Sequence, residues 1–277
     1  MIIIRRKILA LSILALTACG APQSGASGES DAAPSEAPDE SNAAQSAPGA
    51  SGAESDAPGV APAAATDPDG RRVALFIGTS LTAGYGVGEE VAWPAIVQRM
   101  IDSAGLPYRV TNAGISGETS AGGLRRIDWS LQQPADVLVL ELGANDALRG
   151  LDTRQLRANL DSIITRARDV YPGIAVVLAG MEAPPNLGAQ YTRAFRDVFT
   201  GLARRHDAAL VPFLLDGVAA DASLNIDDGI HPNAAGHRVI ARTVWRTLEP
   251  VLRERMTRPP ASATPVGAAQ RDSSDSS

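Results

Sequence analysis

The feature that most constrains the fold of this chain is a repeated alternation. Short runs that are apolar at nearly every position are separated by longer stretches with helical spacing. Strands are expected over 72–78 (Arg-Val-Ala-Leu-Phe-Ile-Gly), 108–112, 136–142, 174–179 and 209–211. Helices are expected over 92–104, 119–132, 153–170, 190–206 and 233–248, the last with Pro250 beyond its end. A strand wetted on one face alternates apolar and polar residues, and these do not, so both faces should be covered. The pattern predicts a single three-layer α/β/α domain with a parallel sheet of about five strands. In such sheets ligands bind beyond the carboxyl ends of the strands. The segments to search for chemistry are therefore 78–86, 113–118, 143–150, 180–188 and 212–232.

The 277 residues are not uniform in kind. Residues 20–70 are almost all Ala, Ser, Gly, Pro, Asp and Glu, with no Lys or Arg, no aromatic residue and one large aliphatic, Val60. Such a stretch buries too little apolar surface to offset its chain entropy, so 19–70 reads as a disordered tether. Residues 258–277 have a similar composition and read as a loose tail, leaving 71–257 as the folded domain. The net charge is −6, but nine acidic residues lie within 20–70, so the folded part is near neutral. Arginines are scattered along helices rather than gathered in a patch, which argues against a nucleic-acid partner. The expected state is a monomer.

The N-terminus reads as an address. Arg5, Arg6 and Lys7 precede an apolar run over 8–16, too short for a stable membrane-spanning helix. Leu16-Thr17-Ala18-Cys19 resembles the lipobox of bacterial lipoproteins, which implies a signal peptide over 1–18 and a lipidated Cys19. Cys19 is the sole cysteine, so it has no disulfide partner within the chain. The tether starts immediately after it. By the same resemblance, Gly20 stands where Asp would mark inner-membrane retention, which favours the outer membrane in a Gram-negative source. The expected location is the cell envelope, with the domain held on a membrane through Cys19.

Four segments at strand ends carry candidate chemistry, each unremarkable alone. Ser80 follows the first strand in Gly78-Thr79-Ser80-Leu81, where a serine serves equally as a nucleophile or a helix cap. His231 lies in Asp227-Asp228-Gly229-Ile230-His231-Pro232-Asn233, with Asp228 placed to orient it. Gly117 and Asn145 follow the second and third strands and could donate to an oxyanion, or could simply form turns. All four lie on the side where a site must be.

Their order and flanking residues resemble the four sequence blocks of SGNH/GDSL hydrolases, in particular the bacterial thioesterase, arylesterase and lysophospholipase branch. The resemblance covers about residues 72–250 and rests on Gly78-Thr79-Ser80-Leu81, Gly117, Gly143-Ala144-Asn145-Asp146 and Asp228-Gly229-Ile230-His231. It implies the flavodoxin-like SGNH fold and a Ser80–His231–Asp228 triad. The implied oxyanion hole comprises the Ser80 and Gly117 backbone N–H groups and the Asn145 amide. No metal or organic cofactor is implied. An α/β-hydrolase is excluded, because its nucleophile elbow lies deep in the chain, whereas here the serine follows the first strand and the Asp and His are three residues apart.

The implied activity is hydrolysis of carboxylic esters, thioesters or lysolipids with short to medium acyl chains. Deacetylation of an envelope polysaccharide is a second reading, and a catalytically impaired binding module a third. The third is motivated by one departure: the residue before the nucleophile is usually Asp in this family and here is Thr79, so its hydrogen bonds are either replaced or lost. Leu148, Pro185 and Leu187 are expected to line an acyl pocket. Glu141 is a candidate brace, and His206 and His237 read as structural.

Overall fold

Arg72–Gly78 forms β1, and all of its residues are buried. Its position accounts for that. β1 pairs in parallel with β2 (Tyr108–Gly114) on one side and β3 (Val137–Glu141) on the other. β4 (Ala175–Ala179) and β5 (Ala209–Val211) extend the sheet, again in parallel, giving the order β2-β1-β3-β4-β5. The computed structural model describes residues 66–262. In this order the chain passes from β1 outward to β2, then back across to β3. The carboxyl ends of β1 and β3 therefore flank the point where winding reverses and a cleft opens.

Two helical groups cover the sheet. α2 (Trp93–Ser103) packs with α7 (Ala234–Met256), while α3 (Ser120–Ser130), α5 (Thr153–Val170) and α6 (Ala189–Arg205) lie side by side. In α5 the apolar residues Leu156, Leu160, Ile163, Ile164 and Ala167 recur at helical spacing and are all buried. Asp152 caps its start by accepting from the Arg154 N–H. None of the described helices is long and apolar enough to cross a membrane.

The last helix differs from expectation. It runs through Pro250 to Met256 rather than stopping near 248. Proline removes one helical hydrogen bond, but Leu252 and Arg255 beyond it are buried and hold the last turns against the sheet. Arg255 Nη2 donates to Asp136 Oδ1 at 2.5 Å. Asp136 itself is fully buried at the start of β3. It also accepts from Arg72 Nη1 (3.3 Å), Tyr108 Oη (2.6 Å) and the Ala261 N–H (2.9 Å). Burial alone would raise its pKa, but the bonds from Arg255, Tyr108 and Ala261 outweigh that and hold it below the usual carboxylate range.

The folded body is also longer than the expected 71–257. Ala261 is buried, and the Arg258 and Pro259 carbonyls accept from Arg72 and Arg255. Thr66 forms an antiparallel bridge to Arg72. Composition could not reveal this, because these residues are held by hydrogen bonds to Arg72, Arg255 and Asp136 rather than by a hydrophobic pattern. Cys19, the signal segment and most of the tether fall outside the described residues.

Candidate active site

The turn after β1 places Ser80 at the start of the four-residue helix α1 (Ser80–Ala83). The His231 loop arrives from the far end of the chain and is closed on itself. Asn225 bridges Pro232, and the Ile226 N–H donates to the His231 carbonyl at 2.8 Å. Asn233 then caps α7, accepting from the Ala235 and Gly236 N–H groups. In this setting Ser80 Oγ lies 2.9 Å from His231 Nε2, and His231 Nδ1 lies 2.6 Å from Asp228 Oδ2. The other oxygen of Asp228 accepts the Ile230 and His231 backbone N–H groups, each at 2.9 Å. These bonds, led by the backbone N–H of His231, pull the carboxyl down to about 2. The tyrosine ring of Tyr85 covers one side of the imidazole, with centroids 4.5 Å apart.

Gly117 and Asn145 share a cavity wall with Ser80 and His231. Gly117 has φ +78°, a conformation that L side chains rarely adopt, and open space where a Cβ would stand. Asn145 lies in α4 (Ala144–Leu148) and uses one amide hydrogen on the Glu118 carbonyl at 2.9 Å. An amide carries two hydrogens, so that bond orients the group and leaves a second donor. Glu118 is itself tied to Arg126 at 2.6 Å. Asp146 accepts from the Ser120 N–H and hydroxyl, fastening α3 to α4.

Residues 76–239 match the GDSL-like lipase/acylhydrolase family. The chain belongs to that family. Among its relatives, Esterase TesA of Pseudomonas aeruginosa is 42% identical over 180 residues, covering 64% of this chain and 88% of the relative. Thioesterase 1/protease 1/lysophospholipase L1 of Escherichia coli is 37% identical over 194 residues, covering 69% and 87%. The crystal structure of TesA superposes with a TM-score of 0.62 at 40% identity, over 65% of this chain and 99% of that one. The chain is thus a GDSL hydrolase whose named relatives are ester, aryl-ester, thioester and lysophospholipid hydrolases.

The departure at position 79 has a local explanation in this GDSL hydrolase. Thr79 is fully buried and caps α1, with its side chain accepting from the Leu81 N–H. Its own N–H donates to Glu141 Oε2 at 2.8 Å, and its hydroxyl lies 3.1 Å from both Glu141 oxygens. The Thr82 hydroxyl donates to the same Oε2 at 2.8 Å. Glu141 ends β3 and has no solvent exposure; burial pushes its carboxyl up to about 7, against the opposing pull of these donors. A side chain on Gly78 would collide with the Thr82 hydroxyl and sit 2.7 Å from Glu141 Oε2, so this close approach requires glycine.

The hydrolase cavity has a volume of about 270 Å³. Leu81, Tyr85, Leu148, Met181, Leu215 and Ile230 make its apolar walls. Leu148 therefore stands where expected. Pro185 and Leu187 do not: they form a 3₁₀ turn and are not among the lining residues, whereas Pro184 one position earlier is. Met181 and Leu215 escaped the sequence reading although both follow strands closely. Ile230 escaped too, although it adjoins His231. Their positions were the available signal, since aliphatic residues carry no chemical signature of their own.

Proposed function

We propose that Ser80 is the nucleophile of a two-step ester hydrolysis, with His231 as general base and Asp228 as its orienting carboxylate. One observation carries this reading: the continuous hydrogen-bonded line Ser80–His231–Asp228, at 2.9 and 2.6 Å, opening into the apolar cavity. His231 Nε2 takes the Ser80 proton as Oγ attacks the acyl carbon, while Nδ1–H donates to Asp228, which fixes the tautomer. The oxyanion is received by the Ser80 and Gly117 backbone N–H groups and the second Asn145 amide hydrogen. His231 then protonates the departing alcohol or thiol. Water, deprotonated by the same imidazole, releases the acid from Ser80.

The substrate is a short to medium acyl ester, thioester or lysolipid. A cavity of about 270 Å³ lies just below the range of about 300–1,000 Å³ for small-molecule sites. Longer chains would continue over Tyr85, Leu148 and Ile230, large apolar residues exposed at its mouth. The test is an acyl-length series of 4-nitrophenyl esters on wild type and Ser80→Ala, run beside an acetylated glycan. Activity on short to medium esters that disappears with Ser80 supports the reading. Release of acetate from the glycan alone redirects it to a deacetylase, and equal rates for both proteins overturn it.

We further propose that Cys19 anchors the enzyme to an envelope membrane as a monomer. The support is the Leu16-Thr17-Ala18-Cys19 sequence and the residues after it. Incorporation of an alkyne-tagged palmitate by wild type and not by Cys19→Ser, with loss from the membrane fraction, is the expected result. Equal labelling of both would refute it.

A further inference from the structure

A helix of four residues has no stability of its own, because nucleation costs more than so short a helix returns. The position of α1, and with it Ser80, must be set by groups outside it. The structure shows where they are. On one side, Thr79 and Thr82 reach Glu141 through one backbone N–H and two hydroxyls, bracketing Ser80 by one residue before and two after. On the other, Asn112 Nδ2 in β2 donates to the Thr82 carbonyl at 3.0 Å. Of these anchors Glu141 gathers the most bonds, and it is wholly buried, with no cation among its hydrogen-bond partners in the described residues.

A buried carboxyl with no countercharge is costly, and side-chain packing alone does not require one. Glu141 also sits at a particular place. It is directly opposite Gly78 in the β1–β3 register, and Asn145 follows it by four residues on the same chain segment. The strand end that holds the Ser80 turn thus leads directly into the segment that carries Asn145.

We propose that Glu141 is a positioning residue for the hydrolase, holding Ser80 Oγ and the Ser80 N–H in register with Asn145 through the hydroxyls of Thr79 and Thr82. It touches no reacting atom and acts only through the turn. The inference rests on the nucleophile assignment to Ser80.

The experiment uses the full chain and a short 4-nitrophenyl ester, with wild type, Ser80→Ala, Glu141→Gln, Thr79→Val, Thr79→Ser and Thr82→Val. kcat and KM are measured well below each melting temperature, together with the rate of Ser80 phosphonylation by a fluorophosphonate. Small displacements of a nucleophile cost as much as 10²-fold, so Glu141→Gln and Thr79→Val should lose about 10- to 10²-fold in kcat, with KM changed less than about three-fold. Phosphonylation should slow in proportion, and Thr79→Ser, which keeps the hydroxyl, should restore the rate. A purely structural role lowers the melting temperature and leaves kcat of the folded protein alone; that result in Thr79→Val and Thr82→Val overturns the proposal. Those two variants decide the matter if Glu141→Gln does not fold. Ser80→Ala as active as wild type would instead defeat the nucleophile assignment. An inactive Ser80→Ala beside fully active threonine variants defeats only the positioning role.

Discussion

Asp228 divides its work between its two oxygens. Oδ1 accepts the Ile230 and His231 backbone N–H groups and so shapes the loop, while Oδ2 holds the imidazole. With its carboxyl pulled to about 2, it stays ionised down to strongly acid solution, and its contribution is lost only as the pH falls through that value. Loss of kcat/KM on acidification well above that value therefore does not come from protonation of Asp228. Asp228→Asn places a donor where an acceptor is needed and should lower kcat by about 10³- to 10⁴-fold, measured on the same ester. On the proposed mechanism Asn145→Ala removes one oxyanion donor, so it should cost about 10²- to 10³-fold in kcat with little change in KM. Thr79 shows how far a single residue can be read in sequence. Its departure from the family pattern was legible, but its remedy was not. The Glu141 carboxylate that receives it lies 62 residues away and meets it only because β1 and β3 are neighbours in the sheet.

Among the elements, strands were legible because the signal was local: continuous apolar runs locate β1, β3 and β4 within a residue or two. The end of α7 was not, since a proline inside a helix is tolerated only by virtue of tertiary contacts, here those of Leu252 and Arg255. Pro250 is exposed, so replacing it alters the backbone and little else. Pro250→Ala should restore a helical hydrogen bond and stabilise the fold by up to about 3 kcal/mol, visible as a higher melting temperature. The same locality argument explains the pocket. Ser80, His231 and Asp228 sit in motifs with chemical meaning. Met181 and Leu215 line the cavity through the ordering of β4 and β5, which no short window of sequence contains.

At the scale of the whole molecule, two buried titrating groups act in opposite directions. Glu141 is raised from 4.5 to about 7, so its contribution to stability is full below about 4.5 and is lost as the pH rises through about 7. His237 lies in the first turns of α7, its Nδ1 accepting the backbone N–H of Trp93 at the start of α2 at 3.1 Å. Burial, aided by the nearby His231, lowers it from 6.5 to about 4. Its contribution is present above about 6.5 and lost as the pH falls through about 4. The two slopes offset each other in the wild type. Glu141→Gln should unmask the histidine, giving a melting temperature that climbs between about pH 4 and 6.5, whereas His237→Phe should leave one that falls between about pH 4.5 and 7. At the other end of the sheet, Asp136 holds two arginines, a tyrosine and the Ala261 N–H. Asp136→Ala strands those buried cations and should cost about 3–5 kcal/mol, read from denaturant melts. That network also gathers both ends of the folded body, from Thr66 beside Arg72 to Ala261 over Asp136, at the amino ends of the strands. β1 has seven residues, so about 20 Å of sheet separates this pole from Ser80. A bead or electrode coupled to the folded body beside Thr66 or Ala261 would thus grip the floor of the sheet and leave the mouth beside Ser80 turned toward incoming substrate.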